Sequence, residues 1–88
     1  MTIKYLNTTK SLRLEQNGTI TVFYSYATPV AFKQEGNLTV SENVLSRTTG
    51  KHLTQIDGGN KKSRVSFDKF KELFNNAIRN DYFNRQGA

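Results

Sequence analysis

Residues 12–40 read LRLEQNGTITVFYSYATPVAFKQEGNLTV. The bulky apolar side chains here are Leu12, Leu14, Ile20, Val22, Phe23, Tyr24, Tyr26, Val30, Phe32, Leu38 and Val40, and all but Phe23 hold even positions. Strands alternate faces with period two, so an even-only set describes one sheet face, provided every connection preserves parity. That proviso selects the turns. A two-residue turn at Asn17-Gly18 would set Leu14 opposite Thr21 and Leu12 opposite Phe23, splitting the apolar set across two faces. A three-residue loop, Gln16-Asn17-Gly18, pairs Leu14 with Ile20 and Leu12 with Val22, Gly18 supplying the left-handed residue of a bulge. Residues 33–37 repeat that solution and close Phe32 on Leu38 and Val30 on Val40. The three-residue loops are preferred, because a one-residue slip would expose a whole face.

Pro29 cannot donate to a ladder, so Ala27-Thr28-Pro29 is read as a corner, bulge or edge. The expected strands run over about 11–16, 19–27, 29–34 and 37–41, with residues 2–6 as a further one. Toward the C-terminus the period changes. Phe67, Phe70, Leu73, Phe74, Ala77 and Ile78 recur every three or four residues, the stripe of an amphipathic helix over about 67–80, with an extension through Tyr82 and Phe83 left open. Ser66 is its expected N-cap, Asp68 suits the positive end of the helix dipole, and Val65 with Phe70 forms a hydrophobic staple. A short helix carrying His52, Leu53 and Ile56, capped by Thr48 or Thr49 and stopped at Gly58, is expected between sheet and C-terminal helix. The fold class is thus α+β in one domain over residues 1–88: an antiparallel meander of three to five strands packed on the C-terminal helix.

The chain has 88 residues, of which Leu, Ile, Val and Phe supply 22, enough for a modest single core. Cysteine is absent and histidine occurs once, which excludes disulfides, zinc–thiolate sites, iron–sulfur clusters and multi-histidine metal sites. No cofactor is expected. The longest apolar run is about four residues, far below the roughly 20 of a membrane span, and the first residues carry no secretory signal. The sequence therefore reads as a soluble intracellular protein with no membrane partner. The three Asn-x-Thr triplets at 7, 17 and 37 are accordingly turn and strand chemistry.

The net charge is +6, and seven cations against two carboxylates between Arg47 and Lys71 supply +5 of it. Arg47, Lys51, Lys61, Lys62, Arg64 and Lys69 are the expected binding surface, suited to phosphates or an acidic protein face. Gly50-Lys51 is not a phosphate-binding loop, since Leu45 and His52 stand where that motif needs Gly and Ser or Thr. His52 is the sole imidazole for acid–base work; Ser25, Ser41, Ser46, Ser63 and Thr49 are hydroxyls, and Glu42 or Asp57 could orient a base. Their spacing assembles no site, so the chain is expected not to be an enzyme. Tyr24 and Tyr26 fall on the predicted core face, leaving Phe23 either exposed or in a second small core.

Tyr24-Ser25-Tyr26-Ala27-Thr28-Pro29-Val30-Ala31, followed by Ser46-Arg47-Thr48-Thr49-Gly50-Lys51-His52, resembles a pattern in a family of short uncharacterised bacteriophage proteins. There a Tyr-Ser-Tyr-x-Thr-Pro-Val-Ala strand precedes a Ser-x-Thr-Thr-x-x-His element. The likeness covers residues 19–56, with Leu45 where an aromatic often stands. It implies a phage-encoded protein acting in the host cytoplasm and carries over no catalytic residue. It also suggests that Thr48, Thr49 and His52 lock the short helix against the Thr28-Pro29 corner by side-chain-to-backbone hydrogen bonds. The function expected is a non-enzymatic accessory protein, monomer or homodimer, that binds a host or phage protein; the alternative is a nucleic-acid-binding protein contacting phosphates through residues 47–71.

Overall fold

A computed structural model describes residues 2–43 and 46–87, with side chains described through residue 81. Five antiparallel strands form one sheet in sequence order: β1 (Thr2–Tyr5), β2 (Leu12–Asn17), β3 (Ile20–Ser25), β4 (Thr28–Gln34) and β5 (Asn37–Val40). Helix α1 (Arg47–Asp57), a 3₁₀ turn (Lys61–Ser63) and helix α2 (Phe67–Gly87) follow. This is the α+β meander with a C-terminal helix that the sequence predicts. Residues 44 and 45 lie outside the described residues, and so do the side chains of Tyr82 and Phe83.

The turns differ from expectation. Asn17 pairs with Ile20, so Leu14 lies opposite Phe23 and Leu12 opposite Ser25. Gln34 pairs with Asn37, which sets Phe32 opposite Thr39. Both loops have two residues. Gly18 takes φ 64° at the first position of its turn, the type II′ pattern, whereas Glu35 (φ 53°) and Gly36 (φ 81°) are both left-handed, as in type I′. A two-residue turn swaps parity, so the even-numbered apolar residues do not share a face. Ile20, Val22 and Phe32 face α2 and form a core with Phe70 and Ala77. Val30, Ala31 and Val40 form a second core with Leu53 of α1, joined by half-buried Phe23 and Ile56.

A split set is stable here because each face has its own cover. Parity selects three-residue loops only where a single face is buried, and α1 covers the second face. Val30 is the extra residue of a bulge: Phe23 pairs with Ala31 and Tyr24 with Pro29, which lets consecutive Val30 and Ala31 enter the same core. Leu38, expected inside, is instead 43% exposed.

Helix α2 starts where Ser66 Oγ accepts the Lys69 N–H at 3.2 Å. Phe70 stacks on Phe74, and both rings lie 5.8 Å from that of Phe32. Burying each such ring stabilises the fold by about 1.5–3 kcal/mol. Ile78, predicted in the stripe, is 44% exposed. One clamp has no sequence signature: buried Asp81 accepts the Thr19 N–H and hydroxyl, both at 2.7 Å, tying α2 to the β2–β3 turn.

Candidate functional site: a basic cleft on a pinned helix

The inner side of α1 is polar where it meets the sheet. Thr49 and His52 are buried, as is Ser25 of β3. Ser25 Oγ lies 2.9 Å from Thr49 Oγ1 and 2.7 Å from His52 Nδ1. On the far side of the ring, Nε2 meets Ser11 Oγ at 3.2 Å and Asn7 Nδ2 at 3.4 Å. Asn7 fixes the tautomer. Its Oδ1 accepts the N–H groups of Ser11 and Leu12, so its amino group is the one that faces His52. Nε2 is therefore an acceptor, and Nδ1–H donates to Ser25. Burial lowers the His52 pKa, which keeps the ring neutral as this pattern requires.

Sequence spacing alone did not assemble these hydroxyls with His52. The structure does, but Ser25 is 1% exposed with both hydrogen-bonding sides occupied, so the cluster anchors α1 to the sheet. The lock expected of Thr49 and His52 has other partners. Their partners are side chains of Ser25, Ser11 and Asn7, not the backbone of Thr28-Pro29, and Thr48 is exposed. The N-cap is Ser46, whose Oγ accepts the Thr49 N–H at 3.2 Å, instead of Thr48 or Thr49. Gly58 ends the helix in the left-handed conformation, as expected.

Of the aromatic residues in this motif, Tyr24 is half-buried on the α2 face under the Arg13 guanidinium, 4.3 Å from its ring centroid. Tyr26 is not in the core. It sits in the β3–β4 turn at φ 56°, 55% exposed, its ring 5.8 Å from that of His52. A non-glycine residue held there stores backbone strain at the rim of the histidine network. Thr28 and Pro29 are half-buried beside it.

The outer side of α1 is a cleft of about 630 Å³. Arg47, Gly50, Lys51 and Thr54 recur at three and four residues, hence along one helix face, and Lys61, Arg64, Glu42 and Asn43 complete the lining. Arg47, Lys51 and Lys61 are exposed, and none has a carboxylate within ion-pair distance among the described residues.

Arg64 differs from these three. Its Nε and Nη2 donate to Asp57 at 2.7 and 3.0 Å, and both side chains are only 5% exposed. The Arg64 hydrogen bond holds the Asp57 carboxyl below its usual pKa and pushes the guanidinium above its own. Lys62 and Lys69 do not line the cleft; Lys62 is exposed on the 3₁₀ turn, and Lys69 pairs with Glu72 at 3.8 Å on α2. Thus four of the six predicted cations meet in one concavity.

Glu42 and Asn43 are the lining residues the charge count missed. The backbone brings Glu42 there: its N–H donates to the Val65 carbonyl at 2.7 Å. Among the described residues, no group of three His, Cys, Asp or Glu side chains is placed to hold a metal ion. No helix among them is long and apolar enough to cross a membrane.

The chain matches a family of unknown function, DUF8033, over residues 2–72, a span that includes the sheet, the histidine network and the whole cleft. It belongs to that family. No curated protein and no solved structure matches it.

Proposed function

We propose that this family member is a small non-enzymatic binding module that docks an acidic surface of a host or phage protein in the α1 cleft. Its origin as a bacteriophage accessory protein of the host cytoplasm is part of the proposal, supported by the resemblance at residues 24–31 and 46–52. The observation that carries the docking reading is the convergence on one concave surface of Arg47, Lys51 and Lys61, which have no ion-pair partner among the described residues. Arg13, Arg64, Lys69 and Lys71 each have a carboxylate instead. Complementary charge of this kind speeds encounter and selects partners. His52 and Ser25, the candidate catalytic groups, do not line the cleft.

The nucleic-acid reading draws on one feature, exposed Lys62 beside Lys61, which extends the basic surface beyond the cleft. Affinity purification from infected-cell lysate, with and without nuclease, separates the two. A specific protein should be retained after nuclease treatment and lost with Arg47→Glu, Lys51→Glu and Lys61→Glu together. Capture of nucleic acid alone would overturn the docking reading.

A further inference from the structure

We infer that the group recognised in the cleft is a phosphate monoester dianion, carried on a phosphorylated side chain of the partner; this rests on the docking reading above. The first reason is the state of Arg64. Two of its nitrogens are committed to Asp57, and among the described residues Nη1 has no hydrogen-bond partner. No described buried side-chain nitrogen lacks a hydrogen-bond partner, so Nη1 opens to solvent, and Arg64 lines the cleft. Asp57 thus holds a nearly buried guanidinium rigidly in the wall of the cleft, with Nη1 left outside the ion pair. A pre-oriented planar donor of this kind suits phosphate oxygens.

Charge matching is the second reason. Arg47, Lys51, Lys61 and Arg64 bring four positive charges, and Glu42 and Asp57 bring two negative, which leaves +2. A phosphate monoester carries about −1.5 to −2 at pH 7, whereas a carboxylate or a nucleic-acid diester carries −1. The dianion is the anion that neutralises the site. Arginine clusters that read phosphorylated side chains are a recurring recognition mode. The cleft, at about 630 Å³, also has room for the chain bearing the phosphate.

Glu42 supplies a signed test. Among the described residues it is the only carboxylate lining the cleft, and it opposes the ligand, so Glu42→Gln should tighten binding while Lys51→Ala and Lys61→Ala weaken it. Titration calorimetry and amide chemical shifts would be measured with an acetylated Gly-phosphoserine-Gly peptide, its unphosphorylated form, dimethyl phosphate, inorganic phosphate and a nucleoside monophosphate. The phosphopeptide should bind at least about tenfold tighter than dimethyl phosphate, shifting Arg47, Lys51, Thr54 and Lys61 amides. Each lysine variant should weaken it about three- to tenfold, and Glu42→Gln should tighten it by about the same factor.

Equal binding of the dimethyl ester, or loss of affinity in Glu42→Gln with an unchanged amide spectrum, overturns the dianion assignment. A nucleoside monophosphate that binds when the phosphopeptide does not overturns the assignment to a partner side chain. Specific capture of an unphosphorylated acidic protein through the same cations would leave the docking reading standing and remove this one.

Discussion

Replacing His52 with alanine removes the centre of the network that fastens α1 to the sheet. The ring has hydrogen bonds at 2.7 Å to Ser25 and 3.2 Å to Ser11, and it is 5% exposed. Each such bond contributes about 0.5–1 kcal/mol net, and loss of the packed ring adds about 1–2 kcal/mol. His52→Ala should therefore cost about 2–4 kcal/mol, a large share of the roughly 4–13 kcal/mol expected for a domain this size. Urea unfolding followed by circular dichroism reads this directly. With a slope of about 1 kcal/mol per molar, the midpoint should fall by about 2–4 M.

The same residue sets a pH dependence whose sign is fixed. Burial lowers the His52 pKa in the folded protein, so below about pH 6.5 the unfolded chain binds a proton that the folded one refuses. Stability then falls as pH drops through that value, with a slope up to about 1.4 kcal/mol per unit, and levels off below the folded pKa. His52 is the only histidine, so His52→Ala should be flat between about pH 5.5 and 6.5. A cost below about 0.5 kcal/mol, or the same slope in the variant, would refute the anchoring role.

Asp57→Asn breaks a nearly buried ion pair and should cost about 3–5 kcal/mol, lowering the melting temperature by more than about 10 °C. In the wild type that pair weakens only under acid: with the Asp57 pKa depressed, its contribution is complete above about pH 4 and lost as pH falls further. Glu35→Asn, at φ 53° in the β4–β5 turn, should raise stability by about 0.5–1 kcal/mol in the same urea assay, since asparagine tolerates that conformation better. Gly36→Ala should do the reverse by about 1–2 kcal/mol. Nothing lies within 4 Å of the added carbon, so its whole cost is backbone strain at φ +81°. Phe70→Ala, in the stack on Phe74, should cost about 3–5 kcal/mol in calorimetry or urea unfolding.

Features encoded within a few residues were legible from sequence. The Ser66 cap, the Phe70–Leu73–Phe74–Ala77 stripe and the Gly58 stop depend on local spacing, and all stand. The hairpins were legible as hairpins, but their register was not. Two-residue and three-residue loops differ only in which face each side chain reaches, and the choice depended on how many faces are covered. Helix α1 hid that number, because only Leu53 and Ile56 mark it as apolar and its remaining contact residues are Thr49 and His52.

The anchoring network was illegible for a different reason. Ser25 meets His52 across 27 positions and Thr19 meets Asp81 across 62, and no periodicity links such pairs. The cations of the cleft were legible by charge density alone. Which of them are free could not be read that way, since the Asp57–Arg64 pair forms only when the turn after α1 folds back.

Hydrogen exchange followed by mass spectrometry on the captured complex tests the docking site most directly. Residues 47–54 and 61–64 should gain protection when the partner binds, while exposed β1 and the β2–β3 turn exchange as in the free protein. Protection of β1 with none along α1 would mean that the partner pairs with the sheet edge, and the cleft would lose its place as the binding surface.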